Sequence, residues 1–292
     1  CLLVAIPGDP AVPDGKRLAG VPPETIRGLA YIDASHLEPY SNKDWVFDGT
    51  NGLALNLMRN GYLTLSLPEW SSARLQHANL LVSMAPGREF SRVERSQIRQ
   101  FVSDGGLLIC MVGAEQAWAS ASLLSEWGVR VAASPVPTQQ DTYEPEPMGH
   151  IRSLYLNVQD DEAGDYRVGV VLHAAWPLEV VEDTTAATKV LVRGNKNRPV
   201  IVHRSFGAGS VVVIGDSAFG MNKNLEYIGG EPFNGRHENA HFWRWLIARV
   251  TRGPRWVPPR EGPIVESGDE TSEGPTEVQQ VEPTAQPQGN PS

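Results

Sequence analysis

From Leu29 onward, short apolar runs alternate with amphipathic segments. LAYIDA (Leu29 to Ala34) reads as a strand that ends in polar residues. In TNGLALNLMRNGY, Leu53, Leu57 and Met58 fall on one helical face, with Asp48, Thr50 or Asn51 placed to cap its start and Gly61 to end it. YLTLSL alternates as a strand, and ANLLVSMAP is a second one closed by Pro86. SRVERSQIRQFVSDGG opens on the capping-box pair Ser91 and Glu94, carries Val93, Ile98, Phe101 and Val102 at near-helical spacing, and stops at Gly105. The unbroken run LLICMV suits a central strand covered on both faces, and AEQAWASASLLSEWG is helical again. This βαββαβα order is realised most simply by parallel strands with right-handed crossovers, giving an open three-layer α/β sheet.

After Gly128 the pattern changes to hairpins. RVGVVLHAAWPLEVVED, TKVLVRG and RPVIVHRSFGAGSVVVIGDS read as strands with Gly- or Asn-rich turns, the last pair joined around GAG. Residues 129–165 are poorly patterned, with SPVPTQQDTYEPEPMGH expected as a surface excursion. ENAHFWRWLIARV closes the domain as an amphipathic helix bearing Phe242, Trp245, Leu246 and Arg249, with Asn239 as its cap; Phe242, Trp243 and Trp245 are expected to pack it onto the sheet with one face exposed, and an exposed aromatic patch would instead mark a partner surface. The domain expected is therefore 28–252. Residues 253–292 are rich in Pro, Gly, Glu and Gln and are expected to be disordered, since they cannot bury enough apolar area to offset their ordering entropy.

Composition narrows the partners. The formal net charge of -9, concentrated in the last few dozen residues, argues against nucleic acid, which needs a clustered Lys/Arg surface. No apolar run approaches the roughly 20 residues of a membrane-spanning helix. The two cysteines, Cys1 and Cys110, make neither a disulfide framework nor a zinc pattern. A first residue of Cys resembles a mature bacterial lipoprotein, with residues 1–27 as a Pro- and Gly-rich tether to a lipid on Cys1; an arbitrary start of the chain or a removed initiator Met is the other reading.

Several pieces together carry a resemblance. YIDASH, DGTNGLALNLMRNGYLT, ANLLVSMAPGREFSRVERSQIRQFVSDGGLLICMVG and the terminal GAGSVVVIGDSAFGMN with NAHFWRWLIARV occur in an order that resembles the DUF4350 group, over about Leu29 to Val250. That group is similar to class I glutamine-amidotransferase-like domains, to the gliding-associated GldG proteins and distantly to ThuA-like proteins. The resemblance implies a flavodoxin-like sheet with helices on both faces and added β-hairpins. It also implies association with the bacterial envelope, as an accessory beside transporters or ATPase modules, and it implies no reaction.

Three constellations could carry chemistry. Active amidotransferases of the resembled superfamily place G-x-C-x-G at a strand-to-helix turn, where a helix N-terminus activates the thiol. Here that turn reads Gly113, Ala114, Glu115, and Cys110 lies about three residues earlier, among Leu, Ile, Met and Val, as a small buried hydrophobe would. His237 and Glu238 stand where the family triad has H-P-E, but adjacent. HENAH also reads as His237-Glu238-x-x-His241, the zinc-peptidase spacing, at the expected start of a helix and with no third ligand in view. Finally, Asp33, His36, Glu115, Asp216 and Ser217 are all expected near the carboxyl ends of strands, where open α/β sheets gather ligands. They are candidates for binding a polar ligand. The alternative is that the aspartates cap loops and His36 satisfies backbone carbonyls.

The function expected is a non-catalytic binding or scaffolding subunit at the bacterial cell envelope. No cofactor, metal or catalytic residue is assigned to it. Its partner would be an envelope or membrane protein. The alternative is a hydrolase using either Cys110 with His237 and Glu238, or zinc at His237 and His241.

Overall fold

The computed structural model describes residues 26–36, 49–132, 154–157, 168–173, 175–181, 188–226 and 238–256. The expected tether up to residue 25, the excursion at 133–153, the tail from 257, Cys1 and His237 lie outside the described residues.

The first half follows the predicted alternation: β1 (Gly28–Asp33), α1 (Asn51–Arg59), β2 (Tyr62–Leu67), α2 (Ser72–Leu75), β3 (Ala78–Met84), α3 (Arg92–Ser103), β4 (Leu107–Met111) and α4 (Ala117–Ser125). The one-turn α2 is an addition. The second half supplies β5 (Val129–Val131), β6 (Leu154–Asn157), β7 (Gly169–Leu172), β8 (Leu178–Val180), β9 (Thr188–Arg193), β10 (Pro199–Phe206), β11 (Gly209–Ile214), α5 (Asn222–Leu225) and α6 (Glu238–Thr251). The central sheet has seven strands in the order β2-β1-β3-β4-β11-β10-β9. Its first five are parallel, and β10 runs antiparallel to both neighbours. The β10–β11 hairpin is thus no appendage. Val211 to Ile214 are buried without a break, so β11 needs the sheet interior and takes the place beside β4. β5–β8 and β6–β7 form two separate antiparallel pairs.

Strand alternation sorts the core into two clusters. Leu107, Ile109 and Met111 of β4 join α1 and α6 side chains such as Leu53, Leu57, Phe242 and Trp243. Leu108, Cys110 and Val112 join Ile98, Phe101 and Val102 of α3 and Leu123 and Leu124 of α4.

Local signals hold α3 at both ends. Ser91 Oγ accepts from Glu94 N at 3.2 Å while Ser91 N donates to Glu94 Oε2 at 2.7 Å, closing the capping box. At the other end Gly105 N donates to Val102 O and Gly106 N to Phe101 O, a Schellman closure that puts Gly105 at φ +113°. Val93 departs from expectation. It lies about 140° around the helix from Ile98 and is 67% exposed.

One reading of α6 needs correction. The helix begins at Glu238, so Asn239 is inside its first turn. The Asn239 amide instead accepts from Val171 N at 2.8 Å and donates to Val171 O at 2.7 Å, pairing with β7 as a neighbouring strand would. Phe242, Trp243 and Trp245 are all buried in the core on the sheet, as expected, and they leave no aromatic face exposed on the described helix.

Candidate functional site

The strand order reverses at β1: β2 lies on one side of it and β3 on the other. Open α/β sheets form a crevice at the carboxyl ends of the strands at such a point. Asp33, the last residue of β1, stands there. Its Oδ1 accepts from Ser35 N at 2.9 Å and from Ser35 Oγ at 2.8 Å, and its Oδ2 accepts from His36 Nδ1 at 2.6 Å. These short-range bonds turn the chain sharply out of the sheet.

The remainder of the cluster comes from distant segments. The His36 ring stacks on Phe90 at 3.9 Å and meets the edge of Trp70 at 6.0 Å. Trp70 Nε1 donates to Ser35 Oγ at 3.0 Å. The turn after β3 opens with Ala85 at φ +43°, a strained conformation for a residue with a Cβ. That turn brings Gly87 N to within 2.7 Å of His36 O. It also lets Arg88 donate through Nε to Ser35 O at 3.1 Å and through Nη2 to Glu94 Oε1 at 2.8 Å. Glu94 Oε2 stands 3.8 Å from His36 Nε2.

One glutamate therefore serves two ends, capping α3 and holding Arg88. Partial burial pushes the Glu94 carboxyl upward, but hydrogen bonds from Arg88 and Ser91, with the His36 charge, outweigh it and bring the pKa to about 2. An unpaired glutamate takes up its proton near 4.5. The contribution of Glu94 to stability is therefore complete above about pH 4.5 and is lost as the pH falls toward 2. Denaturant unfolding across that window is expected to show a steep acid limb that Glu94→Gln flattens; an unchanged slope in the variant would refute this role.

His36 is 1% exposed, and its Nε2 is buried with no hydrogen-bond partner among the described residues. A general base must lie within hydrogen-bond reach of the proton it takes, and this imidazole is buried. What the cluster presents to solvent is the Arg88 side chain, 43% exposed.

The five candidates expected from sequence do not form one constellation. Asp33 and His36 are together. Asp216, at the end of β11, lies three strands from β1, about 14 Å at ordinary sheet spacing. Its carboxylate accepts from His173 N at 2.7 Å and Ala218 N at 2.9 Å, tying loops together. Ser217 is half-buried beside Gly113, where an added Cβ would stand 3.1 Å from its Oγ. Glu115 is exposed. Ser35, Trp70, Arg88, Phe90 and Glu94 were missed as site residues. The only local signal among them is the capping box, which accounts for Glu94 without pointing to His36.

Cys110 sits in β4 between Ser83 of β3 and Val213 of β11 and is 1% exposed. Burial, helped by the Asp33 charge, pushes its thiol up to about 12. His241 lies on α6, and among the described residues no group of three His, Cys, Asp or Glu side chains could hold a metal. Among the described residues, no helix is long and apolar enough to cross a membrane.

The family model of DUF4350, a domain of unknown function, matches residues 41–247. Among solved structures, the mmIFT52 N-terminal domain is similar over 78% of this chain and 100% of its own, at 18% identity and a TM-score of 0.60. Cytoplasmic protein STM1381 from Salmonella typhimurium LT2 is similar over 76% of this chain and 98% of its own, at 14% identity and a TM-score of 0.50. At these identities the likeness is one of fold. No curated protein matches the chain.

Proposed function

Because the chain belongs to the DUF4350 family, a domain of unknown function, we propose its role from the strand ends themselves: a binding module of the bacterial envelope that runs no chemistry of its own. The observation that carries this reading is the state of the two places where catalysis would be expected. The turn after β4 holds Gly113, Ala114 and Glu115 with Cys110 sealed beneath it, and the Asp33–His36 pair is enclosed by Phe90 and Trp70. Polar groups locked to one another make a rigid platform, not a reaction centre. The strand order β2-β1-β3-β4-β11 supports reading the sheet as flavodoxin-like and, more distantly, as amidotransferase-like.

The binding surface is the rim around that platform. Trp118, in the first turn of α4, is 63% exposed, and exposed Val93 stands in the first turn of α3. Both helices begin beyond the carboxyl ends of the strands that precede them. An exposed tryptophan and an exposed arginine such as Arg88 are the residue types that dominate protein-protein contacts. The partner proposed is accordingly an envelope or membrane protein. A photo-crosslinker at position 118 in intact cells is expected to give a discrete protein adduct that sediments with membranes, and one at exposed Arg130 of β5 is not. The same adducts from both positions, or none from position 118, would sink the proposal.

A further inference from the structure

Two open spaces lie at the other end of the sheet. A cavity of about 620 Å³ lies beneath the amino ends of the central strands, walled by residues that include Arg27, Tyr62, Asn79, Ser205, Ser210 and Arg252. The chain carries more acidic than basic side chains, 34 against 25, yet this wall has two arginines and, among the described residues, no aspartate or glutamate. An adjoining groove between α2 and α3 shares Asn79, Gly105 and Gly106; among the described residues the one carboxylate lining it, Asp104, accepts from Gln100 Nε2 at 2.8 Å.

Arg27 decides the character of the cavity. Its guanidinium donates to the Thr251 hydroxyl and to Pro254 O, both neutral acceptors at the end of α6. The helix terminus favours a cation, so these contacts orient the side chain without neutralising it. Gly253 is needed for this seat, since a Cβ there would stand 2.5 Å from Arg27 Nη1. Among the described residues no carboxylate pairs with Arg27, and partial burial already works against its charge, lowering its pKa. Among the described residues, two of its five N–H donors are used. Tyr62 adds a neutral donor, because burial pushes its hydroxyl up to about 12 against the pull of Arg27.

The surrounding backbone supplies little. Gly105 N, Gly106 N and Ala208 N donate to carbonyls of the last turn of α3, and Ser210 N donates to Gly106 O. The glycines here are explained by packing: a Cβ on Gly209 would meet Val102 O at 2.2 Å, and one on Gly106 would meet the Phe101 ring. An anion in this cavity is therefore held by side chains, and a partly desolvated guanidinium fork with a second arginine and hydroxyls nearby matches the oxygens of a phosphate group.

We infer that the cavity under the amino ends of the strands binds a small phosphate-bearing molecule through Arg27 and Arg252, at a site separate from the rim around Arg88 and Trp118. The volume suits a ligand larger than phosphate alone. Calorimetric titration of the full chain with inorganic phosphate is expected to show saturable binding at millimolar concentrations or below. Arg252→Asn and Arg27→Gln should each weaken it at least tenfold, while a change at exposed Arg130, Arg130→Gln, leaves it unchanged. Asn is chosen at 252 because that residue has φ +52°, which Asn tolerates. Should Arg27→Gln unfold the domain by releasing α6, Arg252→Asn decides alone. Absence of saturable phosphate binding, or full affinity in Arg252→Asn, overturns the inference and leaves the rim proposal standing.

Discussion

In native protein, Cys110 is expected to react with a thiol reagent at least about a thousandfold more slowly than in denaturant, with the native rate set by opening of the fold. Two effects combine. Raising the thiol from its ordinary 9 to about 12 removes about three orders of magnitude of thiolate at neutral pH, and the thiolate is the nucleophile. The sulfur is also enclosed by the strand neighbours on either side and the α3 and α4 side chains above. Reagent then meets it only after local unfolding. Peptide-level mass spectrometry over a labelling time course separates Cys110 from Cys1. Rapid second-order labelling of Cys110 under native conditions would return the nucleophile reading to contention and remove the main support for a binding module.

Glu226→Ala is expected to destabilise the domain by about 3–5 kcal/mol. Arg59 closes α1, Glu226 follows α5, and the two side chains form an ion pair that is almost entirely buried. Burial lowers the Arg59 pKa, and the Glu226 charge and hydrogen bond oppose that shift. The buried Trp256 ring lies against both guanidinium groups, 5.8 Å from Arg59 Cζ and 5.2 Å from Arg244 Cζ. Deleting the carboxylate leaves the Arg59 charge in the interior without the partner built for it. Replacing both members, Arg59→Met with Glu226→Leu, is expected to recover most of the loss, because two apolar groups of similar volume require no mutual neutralisation. Chemical denaturation of the three variants measures this. A loss below about 1 kcal/mol for Glu226→Ala would mean that water reaches the pair.

Neither prediction was equally open to a reader of the sequence. The burial of Cys110 is written in its flanks, because an unbroken apolar run has no solvent face. The Arg59–Glu226 pair joins residues 167 positions apart, in segments whose local patterns are complete without it. Gly52 shows the same limit: its place in α1 costs helix propensity. The reason is the approach of Asn222, whose Oδ1 accepts from Gly52 N at 2.6 Å. In the candidate site, Asp33 and His36 were legible because a strand ending in Asp-Ala-Ser-His turns on its own hydrogen bonds. Arg88 and Glu94 were hidden because their role there depends on β3 lying next to β1.

What the sequence by itself determined is everything that repeats at short range: strands at period two, helices at period 3.6, the Ser91–Glu94 cap, the glycine stop at Gly105 and the buried character of β4. These follow from the chemistry of neighbours within about one helical turn. The tertiary structure alone decided that β11 enters the parallel sheet, that Asn239 pairs with β7, that Asp216 stands apart from Asp33, and that a cationic cavity opens under the strands. Each of these depends on which surfaces meet. That choice is made by burial of the whole apolar face of a strand or helix, which fixes the face and leaves its partner to be settled by the rest of the chain.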